Sequence, residues 1–376
     1  MRVGRWTDSG TALSGVFVRI IEYIYPVDQG GHHQVLGKED FGLFVSRLAA
    51  LGTVVAPVAR GGGFSFESVQ GGDRVSLTHR PTILPPKKYF LPQRETLLEY
   101  SLHRGSRIEA VCRCEDLTIL GVHTCDLMGI HCLNMVFRER PRDHNYLLRR
   151  RRITIIGVEC TGYCDEHASC ALAGSHMPGG GYDLFFTDLG DAYVVHVGTQ
   201  QGDDIIDSFG RFRPASEGEL GALSALREGK RSTFGREVDV DPLKMTKIFD
   251  VSFNHSLWRE LDERCLACGS CTTVCPTCHC FDVRDEVRVD MERGRRFRAW
   301  DSCQNEGFAA VAGGENFRRE RGARQRHRYY RKFRYPVEKY HRWFCTGCGR
   351  CSRSCMAGIR LKESLAALAA GAPRDE

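Results

Sequence analysis

No stretch of this chain is an uncharged apolar run of about 18 residues, so nothing in it reads as a membrane-spanning helix. The longest apolar candidate, Gly15 to Tyr25, carries Arg19 and Glu22 and reads as a buried strand. No unbroken apolar core followed by a small-residue cleavage site is present, and no twin-arginine export signal. Catalytic signatures are missing too: there is no Walker loop, no G-x-G-x-x-G, no H-E-x-x-H and no G-x-S-x-G. Gly61-Gly62-Gly63 is followed by a strand pattern rather than a helix, so it is a turn and not a phosphate cradle. These absences argue against nucleotide hydrolysis, dinucleotide binding, zinc peptidase and serine hydrolase chemistry. What the chain has in quantity is cysteine, 18 residues in 376. Without an export signal, that content points to a reducing cytoplasm and to metal ligation rather than disulfides.

Eight of these cysteines fall into two copies of one pattern. Cys265, Cys268, Cys271 and Cys275 read C-x2-C-x2-C-x3-C, and so do Cys345, Cys348, Cys351 and Cys355. This is the ferredoxin spacing for [4Fe–4S] ligation. Three thiolates two residues apart wrap a tight loop around one cubane face, and Gly269, Gly347 and Gly349 admit backbone N–H groups to the sulfides. The fourth cysteine points away to the other cluster. The expected sets are Cys265, Cys268, Cys271 and Cys355 for one cluster, and Cys345, Cys348, Cys351 and Cys275 for the second. Structural zinc uses C-x2-C pairs set well apart, not four cysteines within eleven positions, twice over. One irregularity is Met356, where a proline is expected after the last cysteine.

The chain divides by pattern into an α/β domain over 1–243, with 1–37 hard to read beyond a candidate edge strand, and a mainly helical two-cluster ferredoxin-type domain over 244–376. In the first, helices are expected from Lys38 to Leu51, Glu95 to Leu102, Leu127 to Phe137 and 215–229. Strands are expected at Thr53–Val58, Phe64–Val69, Leu117–Val122, Ile153–Val158, and at 183–187 paired with 192–197. Pro85 to Pro92 reads as extended, and 230–245 as a connector. In the second, helices are expected at Leu257–Glu263, Glu306–Ala312 and 317–332.

The net charge of +6 is uneven: residues 318 to 342 hold eleven Lys or Arg against Glu320 and Glu338, so the rest sums to −3. Interleaved with His327, Tyr329, Tyr330 and Phe333, the stripe resembles a single-stranded nucleic-acid surface. Between two motifs for anionic clusters, the better reading is electrostatic, because guanidinium groups favour the reduced state and steer an acidic partner.

Ten cysteines remain. Cys125, Cys160, Cys164 and Cys170 lie in loops that follow strands, and together form a candidate third iron–sulfur site, with Cys164 the weakest member. The alternative is that they are buried thiols serving as small hydrophobes. Cys278, Cys280 and Cys303 flank the first motif and read as packing that donates hydrogen bonds to cluster sulfur, a contact that tunes potential. Ligation or a redox thiol pair is the alternative there.

The run from Trp258 through Cys265, Cys268, Cys271 and Cys275 to Cys278-His279-Cys280-Phe281 resembles the iron–sulfur β subunit of cytoplasmic sulfhydrogenases and NAD(P)-linked [NiFe] hydrogenases. It is similar also to the iron–sulfur dicluster component of anaerobic sulfite reductase. Trp300-Asp301-Ser302-Cys303, Trp343 to Cys351, Gly121 to Leu127 and Pro85 to Phe90 fit the same pattern, which covers roughly 38–365. It departs at Cys170-Ala171-Leu172, where the family has C-x-C. The resemblance implies an electron carrier without a catalytic residue of its own. Its partners would be a flavin subunit handling NAD(P)H and the large and small [NiFe] subunits handling hydrogen, or instead the sirohaem component of a sulfite reductase. The reading from a different class is a nucleic-acid-binding protein with structural clusters.

Overall fold

The computed structural model describes residues 32–102, 106–235 and 242–371. The expected strand at 15–25 lies outside them.

Two apolar strands, β6 (Leu117–His123) and β7 (Ile153–Val158), form the centre. They pair in parallel, and their side chains feed alternately into two cores, Leu120 and Ile156 on one face, Ile119 and Ile155 on the other. Strands buried on both faces need unbroken apolar runs, which is what these segments supply. β2 (Thr53–Arg60) lies parallel beside β6, and β8 (Leu184–Asp188) parallel beside β7. Antiparallel β3 (Gly63–Val69), β9 (Ala192–Val197), β1 (His33–Gly37) and β10 (Arg213–Pro214) complete an eight-stranded sheet in the order β10-β1-β9-β8-β7-β6-β2-β3. β1 is thus one place in from the edge, because β10 covers its outer side.

Helices cover both faces. Phe41–Leu51 and Gln200–Phe209 insert Phe44, Val45, Leu48 and Ile206 into the first core. Thr124–Arg138 and His144–Arg151 insert Leu127, Ile130, Leu133 and Tyr146 into the second. The 217–233 helix starts on a reciprocal cap between Ser216 and Glu219 and continues to Thr233, so the connector is shorter than the sequence suggests; the next helix begins at Pro242.

A second, four-stranded antiparallel sheet takes strands from both parts of the chain: β11 (Phe281–Val287), β12 (Arg293–Trp300), β4 (Arg94–Ser101) and β5 (Ile108–Ala110). The expected helix at Glu95–Leu102 is therefore strand. The segment is short and half-buried, so its pairing with β12 decides its state. Glu95 explains part of that choice, since it receives both Arg298 and Arg149, and Arg298 also meets Asp143. The β11–β12 hairpin adds strands to the second part, where the sequence led us to expect helices. Its strands carry few apolar residues, and Arg295–Glu286 and Arg296–Asp285 ion pairs link them instead. Two smaller differences follow the same logic. Lys87–Phe90 is a helical turn rather than extended, burying Lys87 so that its Nζ reaches the carbonyls of Thr272 and Cys278 at 3.2 and 3.0 Å. The Glu306–Ala312 helix shrinks to a 3₁₀ turn at Glu306–Ala309.

The rest of the second part is helical. Pro242–Val251, Leu257–Arg264, Arg321–Phe333 and Leu361–Ala370 close around Phe249, Trp258, Leu261, Tyr329, Phe333, Leu365 and Leu368. Cys345, Cys351 and Cys355 pack against that core. Among the described residues no helix is long and apolar enough to cross a membrane.

Candidate metal centres

The two cysteine motifs fold alike. In each, a glycine at left-handed φ (Gly269 at 75°, Gly349 at 72°) turns the chain into a single helical turn, Ser270–Thr273 or Arg350–Arg353. The position two residues earlier is left-handed too, as Ala267 at φ 51° and Gly347 at φ 62°. These turns aim N–H groups at sulfur: Ala267 N–H at Cys265 Sγ (3.4 Å), Gly347 N–H at Cys345 Sγ (3.5 Å), and Ile359 N–H at Cys355 Sγ (3.4 Å).

The thiols surround two cavities. Cys265, Cys268 and Cys271 share the first with Cys355, which comes from the distant motif. Cys345, Cys348 and Cys351 share the second with Cys275, again from the other motif. Cys351 also borders the first cavity, so the two sites are neighbours. Among the described residues no three Cys, His, Asp or Glu side chains lie close enough together to hold one metal ion. Thiols around a void, backed by N–H donors, fit a polynuclear cluster.

Cys268 is exposed, whereas Cys265 and Cys348 are buried. Burial pushes the Cys271 thiol up to about 12, and raises Cys345 and Cys348 as well. Metal ligation must compensate that cost, because thiolate is the ligating form. Cys275 goes the other way. The Cys278 thiol donates to it and, with Lys332 and Lys87 nearby, holds it well below the ordinary thiol value despite burial. Cys303 donates in the same fashion to Cys280. Cys278 is thus paired with a thiol of the first motif, whereas Cys303 is paired with Cys280, which belongs to neither motif.

Three of the eleven cations of the basic stripe turn inward. In the Arg321–Phe333 helix, Arg324, Arg328, Lys332, Tyr329, Tyr330 and Phe333 are buried. Gln325 Nε2 lies 3.0 Å from Cys265 Sγ. Sequence reasoning missed Gln325 as a sulfur donor, and the four-residue spacing of Arg324, Arg328 and Lys332 was the signal that one charged face looks toward the cysteines.

Part of the candidate third site comes together at the carboxyl ends of β6 and β7. Those strands are parallel neighbours, so the residues that follow them, Cys125 and Cys160, come together. Cys164 joins Cys160, and burial with that neighbour pushes Cys164 up to about 12. Cys170 lies on the same loop with its backbone against Gly347. The second cavity adjoins this region: Cys125 faces Cys348, Ser169 N–H donates to the Gly347 carbonyl at 2.7 Å, and Ser175 Oγ to the Thr346 carbonyl at 2.5 Å.

A Cβ at Gly347 would lie 2.2 Å from the Ser169 carbonyl oxygen, while one at Gly269 comes no closer than 3.1 Å to anything, there meeting the Ser302 side chain. Gly269→Ala should cost about the 1–2 kcal/mol of a left-handed alanine. Gly347→Ala should cost clearly more, and should lower iron retention at the second cavity. Denaturation midpoints and iron content of the two variants check this, and equal losses would show the Ser169 contact to be unimportant.

Fold and site together define an iron–sulfur electron-transfer protein with a [4Fe–4S] pair in its C-terminal part. Residues 264–359 match a family described as a 4Fe-4S dicluster domain. Over 325 residues the chain is 34% identical to sulfhydrogenase 2 subunit beta of Pyrococcus furiosus, covering 86% of this chain and 94% of that protein. The chain belongs to the sulfhydrogenase β-subunit family. No solved structure matches it.

Proposed function

We propose that this chain is the electron-relay subunit of a multi-subunit [NiFe] hydrogenase. In this reading it carries single electrons between a flavin subunit that handles NAD(P)H and the large and small subunits that handle hydrogen. The observation that supports it most is the serial placement of thiol sites. Exposed Cys268 marks a surface end, the first cavity adjoins the second through Cys351, and the second adjoins Cys125 of the sheet domain.

The ligand sets belong to the same proposal. Cys265, Cys268, Cys271 and Cys355 hold one cluster, and Cys345, Cys348, Cys351 and Cys275 hold the other, with Cys278, Cys280 and Cys303 behind them. Bound there, a [4Fe–4S] cluster supplies reversible one-electron chemistry. The protein's own part is to exclude water, donate to sulfur, and keep the two sites in contact. Cys125, Cys160, Cys164 and Cys170 are proposed to hold a third cluster, which would extend the series into the sheet domain. We place the boundary between the two units at 243/244, with the β11–β12 hairpin of the second docked on β4 of the first. A reducing cytoplasm suits this many thiols.

The test is the composition of the complex purified without oxygen from its native host through a tag on this chain. Nickel, flavin and about eight irons on this chain, or about twelve with a third cluster, are expected. Sirohaem without nickel would move the chain to sulfite reduction. Co-purified nucleic acid without either cofactor would overturn the relay itself. Cys160→Ser should lower the iron by about four if the third site is filled, and leave it unchanged if those thiols are packing.

A further inference from the structure

The two thiol cavities share part of their walls. Besides Cys351, Tyr329 and Leu361, the side chain common to both is Arg328, and it is the one charged residue that lines both among the described residues. It is 7% exposed. A guanidinium removed from water needs an anion or a full set of acceptors.

Its neighbours on the same helix face have oxygen acceptors, although Arg324 Nε too is without one. Arg324 donates to the carbonyls of Arg318 and Arg319, and Lys332 donates to Thr277 Oγ1 at 2.6 Å. For Arg328 the acidic groups close by include the thiols of Cys271, Cys351, Cys278 and Cys303 and the Tyr329 hydroxyl. Its Nε has no hydrogen-bond partner. Cys271 belongs to the first cavity and Cys351 borders both, so the cation stands between two places where negative charge is expected.

We propose that Arg328 is the positioning residue that tunes both clusters together, its buried positive charge raising the reduction potential of each. This rests on the ligand sets proposed above. Thiolate-bound clusters are anions and gain negative charge on reduction, and net charge nearby is one of the levers on their potential. A buried cation is poorly screened, so it acts on both sides of the wall it forms. Lys332 lines the second cavity and not the first, so its influence is one-sided. Arg331, adjacent on the helix, is exposed and lines neither.

The experiment is an anaerobic redox titration of the full chain, followed by electron paramagnetic resonance, with iron counted in every sample. Arg328→Gln should retain both clusters and make both harder to reduce, each by at least tenfold in the reduced-to-oxidised ratio, about 59 mV for a one-electron couple. Lys332→Gln should shift one cluster, and Arg331→Gln neither. Arg328→Gln with both clusters loaded and either potential unmoved would overturn the proposal. Should Arg328→Gln fail to load iron, Arg328→Lys decides. Restored loading with both potentials near wild type supports a role for the charge, and failure like that of glutamine overturns it in favour of a packing role. A wild-type chain that holds fewer than two clusters would instead defeat the ligand assignment, before any variant is compared.

Discussion

Beyond any iron held at the candidate third site, the Cys265→Ser/Cys355→Ser double variant should keep about four irons, while Cys345→Ser/Cys355→Ser should keep none. The contrast follows from the crossed arrangement of the two motifs. Cys355 closes the second motif in sequence, yet it lines the first cavity with Cys265, Cys268 and Cys271. Removing Cys265 and Cys355 thus damages one site twice, and removing Cys345 and Cys355 damages each site once. Cys275→Ser is the reciprocal case, since Cys275 lines the second cavity. Iron and acid-labile sulfide per chain, with the spectrum of the reduced protein, distinguish the outcomes. If each motif instead served its own cluster, the first double variant would lose everything and the second would keep half.

The largest expected effect on stability is at Asp126. Its carboxylate pairs with Arg350 through two bonds, 2.6 and 2.7 Å, and both side chains are almost fully buried. Arg350 also donates to the Thr82 carbonyl at 2.7 Å. Asp126 lies in the first turn of the helix after β6, and Arg350 stands between Cys348 and Cys351, so this one pair fastens the sheet domain to the second cavity. Asp126→Asn should cost about 3–5 kcal/mol, because it leaves a guanidinium buried without its counter-charge. Asp165→Asn is the control. Its partner Arg353 is about a third exposed, so the loss there should stay near or below about 1 kcal/mol. Chemical denaturation of both variants measures the difference. A loss at Asp126 no larger than at Asp165 would mean that the sheet domain and the second cavity are held together by other contacts.

How far the sequence was legible depends on how local the cause was. The cysteine loops were plain in it because the cysteine spacing of each motif, the left-handed glycines and the helical turns after them all lie within a dozen residues. The Leu257–Arg264 helix, β6 and β7 were equally readable, since each carries its own apolar period or run. β4 was misread as a helix for the opposite reason. Nothing within Glu95–Ser101 outweighs its pairing with a strand two hundred residues away. The β11–β12 hairpin escaped notice because its strands are laced by charges rather than by an alternation of apolar residues.

The same distinction holds at the site. Composition and spacing alone pointed to the kind of cofactor and to the eight cysteines suited to it, because these depend on residue chemistry and short-range geometry. The crossed cysteine sets were already an expectation of the ferredoxin spacing; the tertiary structure decided that Arg324, Arg328 and Lys332 of the basic stripe are buried, and that one guanidinium borders both cavities. It also decided that Cys125 and Cys160 meet, since that needs two parallel strands to lie side by side. Side-chain neighbours far apart in the chain are set by packing, and packing is a property of the whole core rather than of any one segment.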